Sequence, residues 1–137
     1  MDVDALFLFC DGSSKGNPGP AAIGISGQVS GKEIFWIAET IGTATNNVAE
    51  WKALIRGMEE AIERGYKSVS ANLDSELVVR QFEGKYKAKH PSLVPLLHQA
   101  RQLSKNFSFF AIQHIPRNQN ERADALANLA HTNSIDK

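Results

Sequence analysis

The order in which apolar periodicity changes along the chain constrains the fold more than any other feature. Ala5-Leu-Phe-Leu-Phe-Cys10 is a short, nearly continuous apolar run with aromatics, which predicts a buried strand closed by Asp11-Gly12. Gly12 to Pro20 is dense in Gly, Pro, Ser and Asn and predicts a turn or loop. Two further strands are expected over Ala21 to Ser26 and Lys32 to Ile41, joined by a hairpin loop carrying Gly27 and Gly31. The period then changes. After Thr45-Asn46-Asn47, residues Val48, Trp51, Leu54, Ile55, Met58, Ala61 and Ile62 recur at helical spacing, and Gly65 supplies a stop. A strand over Ser68 to Leu73 ends at Asp74, and a helix follows from Ser75 to Glu83 with Leu77, Val78 and Phe82 facing in. A basic loop, Gly84 to His90, leads to a helix over Pro91 to Ser104 and a last strand over Phe107 to Ile115. Asn118 or Asn120 caps a final helix through Ala130, and Thr132 to Lys137 reads as a frayed polar tail. Three consecutive strands suggest an antiparallel meander, and the later alternation suggests parallel strands joined by right-handed crossovers. The expected fold class is therefore α/β: a mixed five-stranded sheet, three antiparallel strands then parallel ones, flanked by helices.

The chain has 137 residues, which predicts one domain over 1–137 with a core that needs no staple. Hydrophobic residues make up 42% and charged residues 22%, values that exclude global disorder. The longest apolar run is far short of the roughly 20 residues a membrane helix needs. Cys10 is the only cysteine, so an internal disulfide and a cysteine zinc site are excluded. With no signal pattern at the N-terminus, the expected location is cytoplasmic. Lys+Arg 15 balance Asp+Glu 15, so any nucleic-acid binding has to come from a local patch.

Four acidic residues stand where such a fold places ligands, beyond the carboxyl ends of parallel strands. Asp11 and Asp74 close strands that emerge at one edge if they pair in parallel. Glu50 lies at the start of its helix, on the flank of the buried face, and Asp124 is placed similarly beside the Ala123, Leu126, Ala127 and Ala130 stripe. Singly, each is explained as a turn, cap or dipole residue. Together, with no paired Lys or Arg evident in these motifs, they would repel one another unless a cation neutralised them. An all-oxygen site suits Mg²⁺ or Mn²⁺ and argues against zinc.

Asp11-Gly-Ser-Ser-Lys-Gly-Asn-Pro-Gly19, Thr45-Asn-Asn-Val-Ala-Glu50, Asp74-Ser-Glu-Leu-Val-Val79 and Asn120-Glu-Arg-Ala-Asp-Ala-Leu-Ala127 resemble the four signature blocks of type 1 ribonuclease H, in the family's order. The Ile115-Pro-Arg-Asn approach to the last block is similar to the archaeal, plant-like and many bacterial members. The resemblance implies the ribonuclease H-like fold and an endonuclease that hydrolyses the RNA strand of RNA/DNA hybrids, leaving 3′-hydroxyl and 5′-phosphate ends. It implies a two-metal mechanism with Mg²⁺, Mn²⁺ being a substitute. By the same resemblance Asp11 bridges both ions, Asp124 helps hold the ion on the attacking-water side, and Glu50 and Asp74 hold the ion on the leaving-oxygen side. Gly12 and Ser13 match the family's 2′-OH readers, with Glu50 nearby. Asn17, Asn46 and Asn47 match minor-groove contacts, and Thr45 a phosphate contact on the DNA strand. Asn17-Pro-Gly also makes a good turn, and Asn46 a good helix cap.

The chain departs from many members in three ways. Pro116-Arg117-Asn118-Gln119-Asn120 has no histidine where a loop histidine assists turnover, which makes Arg117 the candidate replacement. A guanidinium stays charged, so Arg117 can steady a phosphate or aid product release but cannot shuttle a proton. Glu76 stands where many members have a base-contacting amide, and a carboxylate cannot donate. The basic helical protrusion of some bacterial members is missing, yet Arg80 to Lys105 holds six basic residues against Glu83 alone. Lys85, Lys87 and Lys89, with Tyr86 interleaved, are expected to track the nucleic acid. Expected partners are the hybrid and, as a lesser substrate, double-stranded RNA, with no membrane and a monomeric state. The alternatives are a silent binding module of the same fold, which the four acidic residues oppose, and a nuclease acting on another duplex. A phosphate-loop enzyme is set aside, since the glycines of 12–19 lack the Gly-Lys-Ser/Thr ending and a helix directly after the loop.

Overall fold

A computed structural model describes residues 5–135. The elements are β1 (Leu6–Ser14), β2 (Gly19–Val29), β3 (Lys32–Ala44), α1 (Asn46–Glu63), β4 (Ser68–Leu73), α2 (Glu76–Phe82), α3 (Val94–Ser104), β5 (Phe109–His114) and α4 (Glu121–Ile135). The five strands form one sheet in the order β3-β2-β1-β4-β5. The first three pair antiparallel, whereas β1–β4 and β4–β5 are parallel, as expected from the change of period.

The alternating side chains of β1 divide the core. Leu6, Leu8 and Cys10 are fully buried and join Trp51, Leu54 and Met58 of α1 in the main apolar cluster. Gly57 lets α1 approach Leu8, Cys10 and Ile25. Trp51 Nε1 donates to Gln81 Oε1 at 3.0 Å, so the buried indole and amide satisfy each other and tie α1 to α2. On the opposite face α4 lies against β2, β3 and β1. Gly24 makes this possible: a Cβ there would collide with the Ala123 carbonyl and crowd the Ala127 amide.

Several boundaries differ from the sequence expectation. β1 does not close at Asp11 but runs on to Ser14, because antiparallel pairing with β2 continues from Asp11↔Gly24 to Ser14↔Ala21 after the parallel ladder with β4 stops at Cys10↔Leu73. The turn is thereby reduced to residues 15–18. Leu77 points outward, and Val78, Val79 and Gln81 are the buried residues of the short α2. Phe107 and Ile115 are buried but flank β5 rather than belong to it. α4 continues past Ala130, with Thr132 Oγ1 donating to the Asn128 carbonyl at 3.0 Å, so the expected polar tail is helix up to Ile135. Asp136 and Lys137 lie outside the described residues. Among the described residues, no helix is long and apolar enough to cross a membrane.

Candidate active site

Strand register delivers the first two carboxylates. Cys10 and Leu73 are the last partners of the β1–β4 ladder, and Asp11 and Asp74 are the residues that follow them. They therefore leave adjacent parallel strands side by side. Glu50 arrives from α1, just beyond its first turn, and is oriented by the Gly12 amide, which donates to Glu50 Oε1 at 2.6 Å. Gly12 has to be glycine here, since a Cβ would collide with the Ala49 carbonyl. Carboxylate oxygens of Asp11, Glu50 and Asp74 lie within 4.8 Å of one another. Asp124, in the first turn of α4, lines the same cavity of about 410 Å³ together with Arg117, Gly12, Ser13 and Asn46.

The electrostatics follow from this crowding. Burial, reinforced by the charges of Asp74 and Asp124 and a hydrogen bond with the Asp124 carboxyl, pushes the Asp11 pKa up to about 7. Glu50 is held well above the ordinary carboxylate range, first by burial and then by Asp11, with the Gly12 amide opposing the rise. Burial also raises Asp74, while Asn120 and Arg117 pull it down. A cation does approach from outside the four motifs, on the segment before the last of them: Arg117 Nη2 lies 3.8 Å from Asp124 Oδ1. That guanidinium is 83% exposed, however, and a solvated pair at this distance neutralises little of a buried cluster.

The remaining sequence candidates divide into two groups. Those around the first loop come together. Asn17 Oδ1 accepts the Asn46 amide at 3.0 Å, and Asn46 Oδ1 accepts the Ser14 amide at 2.8 Å, locking the β1–β2 loop to the start of α1. The helix cap is Thr45 rather than Asn46: Thr45 Oγ1 accepts from the Val48 amide at 3.2 Å. The oxygens are thus engaged locally, which leaves the Asn17 and Asn46 amino groups and the Thr45 hydroxyl hydrogen available to donate outward. Asn47 and Thr45 share a separate hollow with His90, Ser92 and Leu93. The second group stands apart. Lys85, Tyr86, Lys87 and Lys89 lie on the segment between α2 and α3 and do not line the carboxylate cavity. Lys85 is 3.4 Å from Glu83, and Arg80 pairs with Glu76 at 3.0 Å. The patch is therefore more balanced than its basic count suggested.

Sequence reasoning misses three residues. Gly24, ordinary strand by its pattern, sets how close α4 comes. His131, which has no ligand spacing, lies beside Ser13, with its Nε2 3.0 Å from Ser13 Oγ. Asn120, a cap by its position, is a buried anchor whose Nδ2 donates to the Cys10 carbonyl at 2.9 Å. The signal for all three is long-range contact, which helical or strand periodicity does not carry.

A mixed sheet of this order with clustered carboxylates at the ends of its central parallel strands defines a ribonuclease H-like domain. The reverse transcriptase-like family matches residues 9–130. Ribonuclease HI of Halobacterium salinarum is 44% identical over 128 residues, and the alignment takes in 91% of this chain and 63% of that protein. A Mycobacterium tuberculosis bifunctional protein is 40% identical over 133 residues, of which the chain spans 34% of the length. The crystal structure of the Halobacterium enzyme superposes with a TM-score of 0.92 at 41% identity, covering 94% of this chain and 98% of that one. A compost-derived ribonuclease H1 solved with an RNA/DNA hybrid gives 0.89 at 37% identity, covering 95% and 99%. The chain belongs to the type 1 ribonuclease H family.

Proposed function

We propose that this chain, as one ribonuclease H domain over 1–137, is an endonuclease that hydrolyses the RNA strand of RNA/DNA hybrids. The observation that carries the reading is the Asp11, Glu50 and Asp74 cluster, with ligand oxygens within 4.8 Å and Asp124 in the same cavity. The hybrid-bound relative supports the substrate.

The residues fit divalent ions of the Mg²⁺ or Mn²⁺ type. The donors are all oxygen, they are partly or wholly buried, and their mutual repulsion is unrelieved by a close buried cation. Asp11, Glu50, Asp74 and Asp124 would hold two such ions, Asp11 contributing to both, Asp124 to one, and Glu50 and Asp74 to the other. When bound, two such ions activate a water for in-line attack on phosphorus and stabilise the departing 3′ oxygen, which gives 3′-hydroxyl and 5′-phosphate ends.

The chain's own groups supply orientation and selection. The Gly12 amide fixes Glu50, and the Gly12–Ser13 backbone beside it offers polar groups to a 2′-hydroxyl, the feature that separates RNA from DNA. Asn17, Asn46 and Asn47 present amides to the minor groove, and Thr45 a hydroxyl to a DNA phosphate. Lys85, Tyr86, Lys87 and Lys89 steer the duplex. Arg117, extended over the cavity rim, steadies a phosphate near Asp124. The enzyme is cytoplasmic and monomeric in this reading; the free, buried Cys10 supports only a chain that needs no disulfide.

The test is cleavage of labelled RNA/DNA, RNA/RNA and DNA/DNA duplexes, each with Mg²⁺, Mn²⁺ or EDTA. RNA-strand cleavage of the hybrid that EDTA abolishes supports the reading. Absence of cleavage with either ion, or undiminished cleavage in EDTA, refutes it. Cutting of RNA/RNA alongside would widen the substrate range without changing the site.

A further inference from the structure

We propose that Asn120 is a positioning residue that sets the spacing of the carboxylates and their affinity for divalent ions. The inference rests on the nuclease reading above. Asn120 is 1% exposed and makes connections to three parts of the site. Its Nδ2 donates to the Cys10 carbonyl at 2.9 Å, immediately before Asp11. Its backbone carbonyl accepts the Asp124 amide at 3.1 Å, and its own amide donates to the Arg117 carbonyl at 2.9 Å.

Strand order shows why such a bolt is needed. The β1–β4 ladder ends at Cys10↔Leu73, so beyond it no sheet hydrogen bond fixes Asp11 against Asp74. The Leu73 carbonyl is taken by the Ile115 amide at 2.9 Å, while the Cys10 carbonyl is taken by Asn120. One residue therefore ties the end of β1, through its side chain, to the first turn of α4, through its backbone, the elements that lead to Asp11 and Asp124. A primary amide can donate to the Cys10 carbonyl, which neither an ionised Asp nor an aliphatic residue can do. Among the described residues Asn120 Oδ1 is buried without a partner, a cost that the fold alone gives no reason to bear.

Asn120→Thr and Asn120→Val have nearly the same shape and differ in one hydroxyl donor, so the pair separates donation from packing. Two readouts are needed: Mg²⁺ and Mn²⁺ affinity of the hybrid-free protein by calorimetry, and kcat and KM on hybrid. For Asn120→Val the expectation is roughly 10–100-fold weaker ion binding and a kcat loss of similar size, the effect typical of groups that orient metal ligands. KM should change less than about twofold, because uniform binding is untouched. Asn120→Thr should recover part of both losses. Should the valine variant fail to fold, Asn120→Ser against Asn120→Ala makes the same comparison with less volume. Variants that melt lower yet keep wild-type ion affinity and kcat would overturn the proposal and leave Asn120 a fold bolt. A wild type that binds no divalent ion would overturn it too. A wild type that binds ions but cuts no hybrid would refute the nuclease reading while the ion affinities still decide the role of Asn120.

Discussion

Asp11 and Gly24 face each other across the β1–β2 ladder, and at Gly24 the backbone of α4 comes close against the sheet. The carboxylate at the centre of the site and the glycine that admits the helix carrying Asp124 are thus cross-strand partners. Gly24→Ala should push α4 outward, since its Cβ would strike the Ala123 carbonyl. Overpacking of this kind costs about 1–3 kcal/mol. Thermal unfolding should show that loss, and cleavage assayed well below the melting temperature should fall as well, because Asp124 moves with Ala123. Full activity alongside lowered stability would show that the site tolerates a displaced α4.

The cluster should weaken the ion-free fold. Asp11, with its pKa raised to about 7, gives up a proton less readily folded than unfolded. Its favourable contribution is complete below the ordinary carboxylate range and is lost as pH rises through that range toward about 7. Melting temperature in EDTA should therefore drop as pH rises from the ordinary carboxylate range to neutrality by more in wild type than in Asp11→Asn. Near neutral pH the asparagine variant should melt higher, where ~1 kcal/mol corresponds to a few degrees. Millimolar Mg²⁺ should raise the wild-type value by linkage and reduce the pH dependence. Parallel pH profiles for the two proteins would mean that neither burial nor the neighbouring carboxylates raise the Asp11 pKa.

Catalysis should respond to the same substitution in the opposite sense. Asp11→Asn replaces one oxygen and the charge of a clustered carboxylate but none of the amides of Asn17, Asn46 and Asn47. Cleavage should become undetectable while hybrid affinity, measured by fluorescence anisotropy, stays within a fewfold of wild type. Retention of full activity would exclude the proposed chemistry.

The element order, the antiparallel-to-parallel change and the placement of Asp11 and Asp74 are legible in the sequence, because each depends on local apolar period and on the chain reversing or crossing over. The end of β1 is not. Gly12-Ser13-Ser14 has loop composition, and only pairing with Ala21 to Ile23 holds it extended. Leu77 is misplaced by its pattern because a helix as short as Glu76–Phe82 has too few turns for periodicity to choose its face. Glu50 and Asp124 can be put on the right helix flanks. Their approach to Asp11 depends on the close packing at Gly12 and Gly24, which only the folded chain displays.

The lysines between α2 and α3 should govern affinity. Changing Lys85, Lys87 and Lys89 to Ala should raise KM and flatten the salt dependence of binding, by about 0.9 in the log–log slope for each phosphate no longer neutralised. Lys85 should contribute least of the three, because it lies 3.4 Å from Glu83 and is already partly compensated. An unchanged slope in the triple variant would place the DNA strand elsewhere.

Arg117 should behave differently from those lysines. Its guanidinium is 3.8 Å from Asp124 and lowers the pKa of both Asp11 and Asp74, so it acts on the carboxylates as well as facing solvent. Arg117→Ala should lower kcat with a smaller effect on KM, since the charge it removes lines the carboxylate cavity rather than the segment between α2 and α3. In EDTA the variant should also be less stable than wild type near neutral pH, because the carboxylates lose a favourable neighbour. Arg117→Lys keeps the charge without the planar fork, and so separates charge from geometry. If lysine restores both kcat and stability, charge is the whole contribution. If it restores stability alone, the fork is needed to hold a phosphate. A rise in KM alone in Arg117→Ala would make Arg117 a phosphate-binding residue like the lysines, and wild-type behaviour in every assay would leave it a solvent-facing residue of the loop before α4.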